Sequence, residues 1–290
     1  MESFPYLFFG LQVYFGVKFF PVVLRGNMPS STIQFSVFTK PWHMPLPELA
    51  ALVKGWGFDG VELPVRPGYQ VTPENVRRSL PEAVRILGEH GLKVFSVAGP
   101  TDETTIAACA EQGVPLIRIM ADLGSRGYLD GEDALRREFD RFLPLLEKYG
   151  MKVGVQNHYG RMVCHAMGLR HLLRGYDPGC IGAVWDAAHN ALQGEEPELA
   201  VDILWQVLLM VNLKNAFWQR TNPADAEPAQ WAPWWTSGRQ GLASWPRVAA
   251  ELKRRSYSGV VCLTAEYSEE KEVNRLIAED IAFARGLFLG

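Results

Sequence analysis

The 290 residues include 29 basic and 32 acidic side chains, a formal charge of −3, and 48% of them are hydrophobic. A chain of this length and apolarity buries a large core, and its size is that of one α/β barrel domain. The near-neutral balance leaves no basic footprint for a nucleic-acid backbone; the spacing of Cys109, Cys164, Cys180 and Cys262 matches neither a zinc knuckle nor a disulfide frame and points to reduced thiols in a cytoplasm.

The chain begins with a nearly uncharged run over residues 4–24, but Glu2 precedes it, Lys18 interrupts it, and Pro5, Gly10, Gly16 and Pro21 weaken a helix. Neither a signal peptide nor a membrane anchor fits. Met28 stands directly before PSSTIQFSVF, where regular patterning starts. Residues 1–28 therefore read as an apolar extension, its first 27 residues dispensable or mis-started, ahead of a barrel domain over 29–290 that has no contact with a membrane.

From Ile33 the chain alternates strand and helix signals. Strands are predicted at 33–38, 59–63, 92–98, 116–121, 151–158, 181–186, 208–214 and 260–266, with amphipathic segments between and after them. Gly57, Gly91, Gly113 and Gly150 fall where helices hand over to strands. Strict alternation with eight strands predicts a single (β/α)8 barrel, parallel throughout, rather than an open sheet. The exception is Phe217 to Gly241, a stretch expected to be irregular, whose Trp218, Trp231, Trp234 and Trp235 suit either a lid over the site or a contact in a homo-oligomer.

Strand parity places the chemistry. With Phe35, Val37, Val61, Leu63, Trp185 and Val211 facing the helices, the opposite face carries Gln34, Glu62, Arg118, Gln156, His158 and Asp186, followed by Asn212, Lys214, Thr264 and Glu266. Each polar group buried there without a partner would cost about 1–3 kcal/mol, so these residues must satisfy one another, a ligand or a metal. A structural alternative holds for each taken singly: Asp186 or Glu266 as a helix cap or ion-pair partner, and Glu62 paired with Arg118.

The segments DGVELPVRPGYQVTPEN, VGVQNH, AVWDAAH, VNLKN, GRQGLASWPRVAAELKRRSYSG and LTAEY resemble the sugar isomerase and epimerase group of xylose isomerase-like TIM barrels, over roughly Ser31 to the end. That group includes ketose 3-epimerases, hydroxypyruvate isomerase, inosose dehydratases and, more distantly, zinc-dependent endonucleases for abasic sites. The resemblance implies a divalent ion held by Glu, Asp, His and Glu at the ends of strands five to eight, which map here to Gln156, Asp186, Asn212 and Glu266. Two of these depart from the pattern. The amide of Gln156 accepts no proton near neutral pH, which removes one of the two bases that 3-epimerisation uses. An all-oxygen set would favour manganese or magnesium over zinc.

The expected function is therefore metal-dependent isomerisation of a ketose, oxidised sugar or related polyhydroxy carbonyl compound. Glu266 is the single base, and His158, His189 and Lys214 position or protonate the intermediate. Glu62, Arg118, His189, Trp218, Trp235 and Arg239 are the expected substrate contacts, Arg239 reaching an anionic group. Two alternatives stand beside it: a lyase or dehydratase on a keto-sugar or cyclitol using the same base, and a degenerate barrel that binds a sugar without turnover. An abasic-site endonuclease lacks the basic surface. His43 is placed on the site rim and His165 at the rim or in solvent, whereas His90 and His171 receive no role.

Overall fold

The structure is a computed structural model that describes residues 33–290; the expected extension over residues 1–28 lies outside them. Its strands are β1 (Gln34–Phe38), β2 (Gly60–Pro64), β3 (Lys93–Ala98), β4 (Leu116–Met120), β5 (Lys152–Gln156), β6 (Ile181–Asp186), β7 (Leu208–Leu213), β8 (Asn215–Arg220), β9 (Trp231–Thr236) and β10 (Val260–Leu263). β1 to β7 and β10 pair in parallel and close into a barrel, because β1 bonds to β2 on one side and to β10 on the other. This is the predicted (β/α)8 barrel.

Between and after the strands run α1 (Leu46–Gly55), α2 (Val76–Glu89), α3 (Glu103–Glu111), α4 (Tyr128–Tyr149), α5 (Ala166–Leu172), α6 (Ala187–Leu192), α7 (Pro197–Leu204), α8 (Trp245–Arg254) and α9 (Val273–Leu289). Local chemistry sets their ends. The Asp102 side chain accepts from the N–H groups of Thr104 and Thr105 at 3.0 and 3.1 Å and so starts α3. Gly150 ends α4 at φ 65, a conformation that costs a β-carbon-bearing residue about 1–2 kcal/mol.

The predicted parity holds through the strand bodies. Phe35, Val37, Leu63, Trp185 and Leu213 lie in the large core between barrel and helices. Phe38, Ala98, Leu116, Val184, Met210 and Cys262 form a smaller cluster on the other strand face, inside the barrel. Polar groups at the C-terminal strand ends sit above that plug, where barrel enzymes place their chemistry. Among the described residues no helix is long and apolar enough to cross a membrane.

Three expectations change. The stretch after β7 is not irregular: β8 and β9 form an antiparallel hairpin in which Asn215 pairs with Thr236 and Arg220 with Trp231. Its alternation was masked by Pro223, Pro228 and Pro233, which read as breakers. A short helix, α6, follows β6 directly, started by the Asp186 side chain, where no helix was predicted. Finally, β5 stops at Gln156 and β10 at Leu263, short of 158 and 266. At β10 the cause is Ala265, whose φ of 53 leaves the extended region.

Candidate functional site

Four of the polar side chains form one hydrogen-bonded chain across β2, β4, β5 and β6. Arg118 Nε donates to both Glu62 oxygens at 2.8 and 3.0 Å, and its terminal nitrogen donates to Gln156 Oε1. Gln156 Nε2 donates to Asp186 Oδ2 at 2.8 Å, and Asp186 Oδ1 accepts from the N–H groups of Ala188 and His189. Ser96 adds a hydroxyl to Glu62 at 3.1 Å. Glu62 and Asp186 are fully buried. Burial opposes the charge on Arg118, but Glu62 more than offsets it, so the guanidinium holds its proton more firmly than usual. For Asp186 burial wins over Lys214 and the two N–H groups, and its pKa is pushed up to about 6. The structural alternatives are thus realised: Glu62 pairs with Arg118, and Asp186 caps α6.

A second cluster surrounds Glu266. The left-handed turn at Ala265 carries this carboxylate to the barrel mouth, where Lys214 Nζ donates to Oε2 at 2.6 Å and Lys40 Nζ to Oε1. Strain of this kind collects at functional sites. Burial alone would raise the Glu266 pKa, but Lys214 and Lys40 outweigh it and hold the group well below the usual carboxylate range. Lys214 also lies 3.6 Å from the centre of the Trp235 ring. The rings of His158 and His189 are 3.9 Å apart, and burial depresses the pKa of both, which keeps both imidazoles neutral.

Two cavities meet here. An outer basin of about 600 Å³ is lined by Lys40, His43, Tyr69, Trp235, Glu266 and Tyr267, among others. An inner chamber of about 140 Å³ runs from Phe38, Arg66 and Arg118 to Gln156, His158 and His189, with Thr264 also on its wall. Lys40 and Glu266 line both, so their ion pair is the partition between them.

The structure therefore brings together Glu266, His158, His189, Arg118, Gln156 and Trp235 on cavity walls. Lys214 stands behind Glu266, while Glu62 and Asp186 lie below the chamber and hold other residues. Asn212 is fully buried and neither of its side-chain polar atoms has a partner among the described residues. Trp218 is spent on the carbonyl of Leu192, at 2.9 Å, and Arg239 lies over the Phe283 ring at 3.7 Å; neither lines the two cavities. His43 is on the rim of the basin, where it packs against Tyr69.

Sequence reasoning missed Lys40, Asn157 and Arg66. Asn157 ties β5 to β6, accepting from the Asp186 N–H at 2.7 Å and donating to its carbonyl at 3.2 Å. Lys40 and Arg66 each follow a barrel strand by two residues, and that position was the available signal.

The residues implied as metal ligands do not fit a divalent ion as they are arranged. Gln156 turns its carbonyl oxygen to Arg118, and both Glu266 oxygens are taken by ammonium groups. An added cation would sit against Arg118, Lys40 and Lys214, which already hold those oxygens. Among the described residues, no cluster of three or more His, Cys, Asp or Glu is arranged to hold a metal.

A closed parallel barrel with its polar groups at the C-terminal strand ends defines a class of barrel enzyme folds. The model of the family described as xylose isomerase-like TIM barrel matches residues 50–287, and this chain belongs to that family. A search of curated proteins returns no match. Among solved structures, 3-keto-D-glucoside 4-epimerase from E. coli superposes with a TM-score of 0.67 at 14% identity, covering 88% of this chain and 100% of its own. D-psicose 3-epimerase from Clostridium cellulolyticum H10 gives 0.67 at 11% identity, over 88% and 99%. Mannonate dehydratase from Streptococcus suis serotype 2 gives 0.66 at 14% identity, over 89% and 94%. At these identities the likeness is one of fold.

Proposed function

We propose that this chain is an enzyme of the sugar isomerase and epimerase type, moving a proton on the carbon beside the carbonyl of a polyhydroxylated compound. The observation that carries this reading is the ionised Glu266 carboxylate at the cavity partition, between two ammonium groups and on the same chamber as two neutral imidazoles. While both lysines hold it, Glu266 is a weak base. When Lys40, which lines both cavities, turns its N–H toward the substrate carbonyl oxygen, that oxygen gains a cation to stabilise the enediolate, and Glu266 loses a contact that suppressed its proton affinity. His158 and His189 are neutral and can carry a proton between neighbouring oxygens. Trp235 offers an aromatic face to the apolar side of a sugar.

No step here runs through a metal. With an amide at Gln156, Glu266 is, among the described residues, the one carboxylate on the inner chamber wall. That supports isomerisation through an enediol, or elimination of water beside the carbonyl, over two-base epimerisation. The four cysteines are free thiols, which supports a reducing, cytoplasmic setting.

The test is deuterium exchange from D2O into a panel of ketoses and uronates. Exchange into recovered substrate without loss of water supports an isomerase, and appearance of a dehydrated product supports a lyase. Glu266→Gln is expected to slow either by about 10²-fold or more. Equal turnover by wild type and Glu266→Gln would sink the proposal.

A further inference from the structure

The inner chamber contains a cation that this chemistry does not use. Arg66 lies two residues beyond the end of β2, half-buried on the chamber wall, with its guanidinium carbon 5.6 Å from the centre of the Phe38 ring. Arg118 packs on the same ring at 4.8 Å. The other cations here are matched, Arg118 by Glu62 and both Lys40 and Lys214 by Glu266. Among the described residues, no carboxylate pairs with Arg66 and no side-chain hydrogen bond engages its guanidinium. Among the described residues Arg118, Lys40 and Lys214 each touch a carboxylate, and Arg66 touches none.

A second, independent observation lies on the same walls. Thr264 Oγ1 and both ring nitrogens of His189 are buried without hydrogen-bond partners among the described residues, and both residues line this chamber. Buried polar groups left unmatched are costly and call for a ligand or ordered water. The chamber therefore presents one unmatched positive charge and two unmatched polar side chains. That is the complement of a small molecule with one negative group and neighbouring hydroxyls.

We infer that Arg66 recognises a carboxylate on the substrate, so that the compound taken is a polyhydroxy acid, a uronate or keto-aldonate, rather than a neutral sugar. This rests on the polyhydroxy carbonyl reading above. A guanidinium meets a carboxylate through two parallel N–H donors, which fixes orientation as well as charge. A phosphate ester would bring a second negative charge that nothing here offsets, and the N-terminus of α6, the helix that follows β6, is already capped by Asp186. Burial and the nearby Arg118 lower the hold of Arg66 on its proton, so a bound anion relieves an unfavourable charge.

The experiment is calorimetric titration of the wild type, Arg66→Gln and Arg66→Lys with D-galacturonate, D-galactose, acetate and inorganic phosphate. The folding of each variant is checked by circular dichroism and thermal midpoint. Wild type is expected to bind galacturonate roughly tenfold or more tighter than galactose, the size of one charge-assisted contact. Arg66→Gln should erase that preference, and Arg66→Lys should keep part of it. Equal binding of galactose and galacturonate by wild type, or a preference that survives Arg66→Gln, overturns the carboxylate inference and leaves the polyhydroxy reading standing. Acetate binding as tightly as galacturonate, lost in Arg66→Gln, keeps the anion site and overturns the polyhydroxy reading. Phosphate outcompeting galacturonate overturns the carboxylate assignment, and binding of none of the four overturns both.

Discussion

Among single residues, Arg118 joins the polar groups of three strands. It is 5% exposed, neutralises a fully buried Glu62 and orients Gln156. Arg118→Met leaves Glu62 charged in a dry interior, which costs about 3–5 kcal/mol, whereas Glu62→Gln combined with Arg118→Met removes both charges and should recover much of that loss. Urea denaturation of the wild type and the two variants measures the difference. The same guanidinium, with Lys40 and Lys214, makes a prediction about metal: protein purified without a metal-binding tag should show no near-stoichiometric divalent ion by elemental analysis and should take up none from added manganese. Stoichiometric uptake that vanishes in Asp186→Asn with Glu266→Gln would restore the metal-dependent mechanism.

Among elements, the hairpin of β8 and β9 is the addition that shapes the site, and its base is fastened by polar contacts. Asn215 donates to the carbonyls of Gly238 and Ala243 and accepts from the Ala243 N–H, all at 2.8–2.9 Å. Gly241 passes so close that a β-carbon there would sit 2.2 Å from the Asn215 side-chain oxygen. Ser268 bonds the backbone of Trp235, and Asp280 on α9 accepts from the Gly238 N–H at 2.9 Å and the Tyr267 hydroxyl at 2.8 Å. Burial outweighs these two donors and pushes the Asp280 pKa up to about 6, from 3.8. A raised carboxyl pKa favours the folded state below the unfolded value, and this advantage is lost as pH climbs through about 6. Relative to Asp280→Asn, the wild type should therefore lose up to about 3 kcal/mol between pH 4 and pH 7. Thermal or urea unfolding across that range reads it directly, and a flat difference would contradict the assignment.

At the scale of the whole molecule, closure into a barrel was legible because period-2 patterns recur eight times with helix signals between them, the strand count that a closed parallel barrel needs. The interior polar set was legible for the same reason: Glu62, Arg118, Gln156, Asp186 and Asn212 alternate with residues of the helix-facing core. What failed to show was everything that depends on leaving the extended conformation. Strand alternation places Glu266 at the barrel mouth, and in the structure it lies there by way of the turn at Ala265 rather than by extension of the strand. Lys40 and Arg66 lie beyond their strands, where parity says nothing, and Trp218 and Arg239 carried aromatic or cationic side chains whose direction only the folded hairpin decides. Burial decided the rest: the sequence shows that a carboxylate is present, but not that two lysines hold Glu266 while Asp186 is nearly shut off from water.

The hydrogen-bonded chain from Glu62 to Asp186 also bears on how such a site changes over evolutionary time. Each member's polar atoms are committed to the next, so a change at one strand end alters what its neighbours tolerate. An acid at position 156 would stand 2.8 Å from the Asp186 carboxylate, with the Arg118 guanidinium already shared with Glu62. The amide is therefore conditional on its surroundings, and an acid there becomes favourable only after position 118 or 186 has moved first. The order of substitutions, as much as their identity, is written into the geometry of the barrel mouth.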